Sequence, residues 1–151
     1  MKSERIRVSK EFTFDMAHAL FNYDGPCKNI HGHTYRLQVT IIGYPNQDPQ
    51  NPKQGMVIDF GQLKYLVVKQ IINKYDHALV LNEQVVATMG TNFSNISDKI
   101  IFVPYQPTCE NLMLNIKNEL AILLETEGYQ LQAIRLYETP SSWAEWNLAD
   151  D

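Results

Sequence analysis

No cluster of lysine and arginine interrupts this sequence, no apolar run approaches the length of a membrane span, and only two cysteines occur among 151 residues. Each scarcity removes a class of function. With 13 basic residues scattered against 17 acidic ones, the formal charge of -4 leaves no electrostatic footprint for a phosphate backbone, so nucleic-acid binding is disfavoured. The charged opening from Met1 to Ile6 leads straight into strand-like sequence, with no signal-peptide apolar region, so the chain reads as cytoplasmic and without a membrane partner. Cys27 and Cys109 have the means to pair, but in a reducing compartment a free thiol beside histidines points to catalysis or metal. Internal repeats and low-complexity segments are absent too. With 44% hydrophobic and 20% charged residues, residues 1–151 fit one globular domain able to bury its own core.

What is present is concentrated in Cys27-Lys28-Asn29-Ile30-His31-Gly32-His33. In an extended chain, side chains at i and i+2 share a face, so His31 and His33 present two imidazoles to one point. From Thr34 to Ile41 the large apolar and aromatic residues fall at odd positions, the parity of both histidines. An earlier strand, Arg7 to Leu20, alternates in the same manner and carries Phe12, Phe14, Met16 and His18 on one parity. The turn residues Asn22, Asp24, Gly25 and Pro26 separate the two runs and suit an antiparallel pair, whose register decides whether His18 meets His31 and His33.

Further along, residues 43–55 read as an exposed excursion, and Met56-Val57-Ile58 as a short returning strand. Asp59 stands where a helix N-cap belongs, ahead of a helix predicted over 60–74 with Leu63, Leu66, Val67, Gln70, Ile71 and Lys74 at helical spacing. Residues 82–99 read as an irregular insertion with about one helical turn, followed by a short strand over 100–103. Pro107-Thr108 opens a second helix, striped by Leu112, Ile116, Leu120, Leu123 and Leu124 and closed near Gly128. Residues 131–138 form the last predicted strand, leaving a tail from Thr139 that carries Trp143 and Trp146, read as a packing or subunit contact.

Three neutral histidines with one open position describe a catalytic zinc site, and zinc suits such a set better than other divalent ions. Cys27 has two uses here: a fourth ligand closing a structural site, or a thiolate base with its pKa lowered by a nearby cation. Asp76-His77 at the helix exit is either an acid/base pair or a solvated terminus. Neighbours on a regular strand face opposite ways, so cooperation needs a turn. Glu138 ends a mostly apolar strand, where a buried carboxylate would pair with two N–H groups of a heterocycle and an exposed one would be inert. Cys109 reads as a small buried residue, and Glu110 as a carboxylate favoured at the start of its helix.

The ordered set Phe14-Asp15-Met16-Ala17-His18, Cys27 with His31-Gly32-His33, Gly55 to Phe60, Asp76-His77, Pro107 to Asn111 and Glu138-Thr139 resembles the 6-pyruvoyl-tetrahydropterin synthase family over most of the chain. The three-residue spacer between Cys27 and His31 and the Ile58-Asp59-Phe60 run are more similar to its bacterial branch, the 6-carboxytetrahydropterin synthases of queuosine biosynthesis. The resemblance implies an α+β tunnelling fold, with a four-stranded antiparallel sheet backed by two long helices. It implies trimers stacked into a hexamer, with sites at subunit interfaces. It also implies zinc held by His18, His31 and His33, with Cys27 as base and Asp76-His77 as relay. Glu138 would anchor a pterin, and Thr108, Cys109 and Glu110 would line its pocket. The implied substrate is 7,8-dihydroneopterin triphosphate. Three outcomes stay open: a carboxy product, a pyruvoyl product, and a non-catalytic pterin- or metal-binding module. The segment 82–101 and the tail from Ser141 to Trp146 exceed the compact family pattern.

Overall fold

The computed structural model describes residues 4–88 and 96–150. Two long strands, β1 (Ile6–Ala19) and β2 (His31–Gly43), form an antiparallel pair whose alternation sets the layering of the whole molecule. Phe12, Phe14 and Met16 of β1 and Tyr35, Leu37, Val39 and Ile41 of β2 are buried, while the residues between them are partly or fully exposed, Thr40 excepted. The pleat therefore gives one apolar and one polar face, as the period of two demands.

Two helical stretches cover the apolar face. The first runs from α1 (Phe60–Val67) through a π-helical segment at Val68–Ile72 into α2 (Asn73–Tyr75). Its Asp59 cap accepts from the Gly61 N–H at 2.7 Å. Leu63, Leu66, Val67 and Ile71 enter the core, whereas Gln70 and Lys74, from the same stripe, reach Glu119 on the second helix at 3.1 and 2.7 Å. That second helix, α3 (Cys109–Thr126), is capped by Thr108 and buries Leu112, Met113, Ile116, Leu120 and Leu124. It ends at Gly128, whose φ of 84° lies where only glycine sits without strain.

The sheet has six strands rather than four, and it is mixed rather than wholly antiparallel. Its order is β4-β3-β1-β2-β5-β6. β3 (Ala78–Asn82) and β4 (Ile100–Val103) add in parallel outside β1, because the helix over 60–75 carries the chain across the sheet before β3 begins. β5 (Gln130–Thr139) pairs with β2. The tail is a strand as well: β6 (Ser142–Asn147) turns back on β5, with Trp143 against Tyr137 at 5.3 Å between ring centroids and the Lys117 ammonium 4.6 Å from the Trp146 ring.

Met56-Val57-Ile58 is not a strand. Inside the excursion the Asn46 N–H donates to the Met56 carbonyl and the Gly55 N–H to the Asn46 carbonyl, and Ile58 is buried as the chain enters α1. In the insertion, a 3-10 turn at Glu83–Ala87 follows β3, while Gly90, Asn92, Ser94 and Asn95 lie outside the described residues. Among the described residues, no helix is long and apolar enough to cross a membrane.

Candidate metal centre

The register of β1 on β2 pairs His18 with His31 and Met16 with His33, so the three imidazoles meet at one end of the apolar face. Their ligating atoms lie within 4.8 Å of one another, and His18 Nε2 and His31 Nε2 are 3.1 Å apart. Gly32 permits this. Paired with Ala17, it would place an added Cβ 3.2 Å from the Met16 carbonyl oxygen.

Two backbone carbonyls fix the direction in which the imidazoles present a lone pair. His18 Nδ1–H donates to the Pro107 carbonyl at 2.7 Å, and His31 Nδ1–H donates to the Asn29 carbonyl at the same distance. Each of these bonds requires the proton on Nδ1, leaving Nε2 as an acceptor aimed at the shared centre. Burial holds the His18 imidazole below its ordinary pKa, against the pull of the Pro107 carbonyl, so it stays neutral and able to ligate. Three converging imidazoles, two of them with the tautomer fixed by a backbone carbonyl, are a donor set that fits a borderline ion such as zinc.

The Glu138 carboxylate faces the same centre, with Oε1 at 3.7 Å from His18 Nε2 and 3.9 Å from His33 Nε2. Tyr35, next in the odd-numbered row after His33, donates its hydroxyl to Glu138 Oε1 at 3.3 Å. Burial, reinforced by Glu138, pushes the Tyr35 phenol far above its usual pKa and keeps it a donor. The row His31, His33, Tyr35 was visible in the sequence; Tyr35's partner, 103 residues away, was not. A cleft of about 460 Å³ opens beside this group, lined by His33, Glu138, Thr139, Pro140, Arg36 and Tyr137 among others.

Cys27 sits in a single 3-10 turn, Pro26–Lys28, that folds back on β1 through the Leu20 N–H to Cys27 carbonyl bond of 2.9 Å. Its thiol is half-buried and free of any disulfide. Thr108 caps α3 and accepts from the Asn111 N–H at 3.3 Å, one residue beyond the Pro107 carbonyl that orients His18. The Cys109 thiol donates to the Leu136 carbonyl at 3.4 Å, and burial pushes its pKa up to about 11. It is a packed thiol. Glu110 is exposed in the first turn of α3.

Asp76 and His77 form the turn that cooperation between neighbours requires. His77 has φ of 60°, and its Nδ1 lies 3.1 Å from Asp76 Oδ1. Asp15 clamps the turn from β1: its N–H donates to Asp76 Oδ1 at 2.9 Å, and its carbonyl accepts from the His77 N–H at 2.6 Å. His77 and His33 line a second cleft of about 580 Å³ with Asp15, Thr34 and Ile96. The structure thus gathers His18, His31, His33, Tyr35 and Glu138 at one point and sets Asp76-His77 at a separate wall opening toward His33.

The Asp15 N–H holds the Asp76 carboxyl below the usual carboxylate range. A carboxyl with a depressed folded-state pKa contributes stability above its unfolded value, and the contribution is lost as pH falls through the folded one. Asp76→Asn is therefore expected to lower the melting temperature at neutral pH and to narrow the drop between neutral pH and about pH 3, measured by thermal unfolding of both proteins.

Comparison with known proteins gives consistent results. A family model described as 6-pyruvoyl tetrahydropterin synthase matches residues 7–148. The chain is 39% identical over 143 residues to 6-carboxy-5,6,7,8-tetrahydropterin synthase of Haemophilus influenzae, covering 93% of this chain and 98% of the relative. It is 32% identical to the protein of the same description from Rickettsia conorii, over 93% and 99% of the two chains. Among solved structures, Plasmodium falciparum 6-pyruvoyl tetrahydropterin synthase superposes with a TM-score of 0.66 at 25% identity, over 94% of this chain and 96% of that one.

Proposed function

Because the chain belongs to the 6-pyruvoyl tetrahydropterin synthase family and has the tunnelling fold, we propose that it converts 7,8-dihydroneopterin triphosphate and one water to 6-carboxy-5,6,7,8-tetrahydropterin, acetaldehyde and triphosphate, as a zinc-dependent lyase of queuosine biosynthesis. The observation that carries the proposal is the convergence of His18, His31 and His33 on one point that the Glu138 carboxylate also faces. The identity to relatives named for the carboxy product favours that product over the pyruvoyl one.

His18, His31 and His33 would hold the ion, the first two oriented by the Pro107 and Asn29 carbonyls. When bound there, Zn²⁺ supplies Lewis acidity that polarises the side-chain oxygens of the substrate and acidifies the adjoining C–H. Glu138, fixed by the Tyr35 hydroxyl, accepts the N–H groups of the pterin ring and sets which carbon of the side chain faces the protein bases. Cys27 takes the proton from that carbon. His77, held against Asp76, returns a proton on the other side of the side chain. Thr108, Cys109 and Glu110, where α3 starts, are the residues proposed for the pterin end. The redox change is internal to the substrate, so no external hydride is needed. A hexamer built from two trimers, with the site completed between subunits, suits a sheet whose outermost strands are β4 and β6 and a His77 side chain that is 77% exposed in the single chain.

The test is to incubate zinc-loaded protein with 7,8-dihydroneopterin triphosphate and identify the products by mass spectrometry. Carboxytetrahydropterin is the expected result. A pyruvoyl product would move the chain to the other branch, and untouched substrate would sink the lyase reading.

A further inference from the structure

The helix over 60–75 ends on a contact that its own residues do not supply. The last carbonyls of a helix have no donor within it. Here Asn73 O and Asp76 O both accept from one ammonium, Lys99 Nζ, at 2.8 and 2.6 Å. Lys99 belongs to the segment leading into β4, and its own carbonyl accepts from the Leu79 N–H at 2.9 Å, so its backbone is fixed to β3 while its side chain reaches back under the helix end. A cation at a helix C-terminus is favoured by the dipole alone. Lys99 does more than that, because it joins the last helical turn to the carbonyl immediately before His77.

His77 needs such a hold. Its φ of 60° is in the left-handed region, which costs a residue with a Cβ some steric energy that neighbouring contacts must offset. Asp15 supplies one side of the clamp, through its N–H to Asp76 and its carbonyl to His77. Lys99 supplies the opposite side, on the Asp76 carbonyl. The peptide between Asp76 and His77 is thus held by a hydrogen bond on each side, and the imidazole lines the cleft it shares with His33.

We propose that Lys99 is a positioning residue for His77, acting through the backbone to keep the imidazole in its left-handed turn. The inference rests on the proposed relay and adds to it a residue that the sequence placed in an irregular insertion. Without the ammonium, the Asp76 carbonyl is released and His77 relaxes to negative φ, carrying its ring away from the cleft.

Three zinc-loaded variants test this in the full chain: Lys99→Met, His77→Ala and the pair together. Lys99→Met is expected to lower kcat by about 10²-fold, the cost of a catalytic group displaced by about an ångström, with KM and zinc content as in the parent. The double variant is expected to be no slower than His77→Ala, because Lys99 has no effect once the group it positions is gone. Lys99→Arg, which keeps a cation with several donors, is expected to recover most of kcat. Full turnover in Lys99→Met alongside a loss in His77→Ala would overturn the inference alone. Losses that multiply in the double variant would also overturn it, since Lys99 would then act elsewhere. Full turnover in His77→Ala would sink the relay reading and the inference with it. A Lys99→Met chain that does not fold, beside a folded and fully active Lys99→Arg, would assign the contact to stability and overturn the positioning role.

Discussion

Cys27→Ala is expected to lower turnover of 7,8-dihydroneopterin triphosphate by about 10²- to 10⁴-fold, the range for removing a general base, while zinc content stays at the parent level. Three imidazoles already converge, two of them locked into the ligating tautomer by backbone carbonyls, so the ion has its protein ligands without sulfur. Cys27 sits on a separate turn whose backbone, not its thiol, ties it to the end of β1. Removing the thiol therefore deletes a proton acceptor and leaves the ligand set intact. Metal analysis and steady-state rates on the same preparation give the answer. If zinc is lost together with activity, Cys27 is a fourth ligand, the site is closed, and a binding module becomes the better description.

The second large effect is expected from His31→Ala: zinc affinity falls by more than about 10²-fold, beyond what loss of an outer-shell partner costs, and turnover falls with it. His31 is the cleaner probe of the three. His18 is 2% exposed and bonded to Pro107, so its removal also strips a partner from a buried carbonyl at a cost of about 1–3 kcal/mol and confuses metal loss with unfolding. His31 is half-buried at the strand start, and its alanine variant should melt close to the metal-free parent. Competition with a chromophoric chelator measures the affinity. An unchanged affinity would place the ion, if any, elsewhere.

Much of this site was legible because it depends on short-range periodicity. His31 and His33 share a face whatever the strand pairs with, and His18 follows Phe12, Phe14 and Met16 on the buried parity of β1. The caps at Asp59 and Thr108 and the glycine exit at Gly128 were equally local. What stayed hidden depends on contacts far apart in sequence. The pairing of His18 with His31 is a register, and a shift of one residue would have turned the histidine away from its partners. The bond from Tyr35 to Glu138 needs β5 beside β2, and the Lys99 contact needs β4 beside β3. The strand over 100–103 was read from its apolar run, but β3, four apolar residues ending in Asn82, was too short for periodicity to separate it from other buried segments, and the parallel pairing of the two is a contact between distant segments. Met56-Val57-Ile58 shows the converse: an apolar triplet reads as a strand, yet the chain needed it to lead Ile58 into the core ahead of α1.

That the three histidines make one metal centre for pterin chemistry has a direct consequence for the zinc dependence of turnover. It is tested most directly by titrating zinc into chelator-stripped protein and following acetaldehyde release from 7,8-dihydroneopterin triphosphate at each step. The expected result is a rate that rises in proportion to bound zinc and levels off at about one ion per chain, the capacity of a single three-histidine site. Acetaldehyde released at full rate by the stripped protein, or full zinc occupancy with the substrate unchanged, would contradict it.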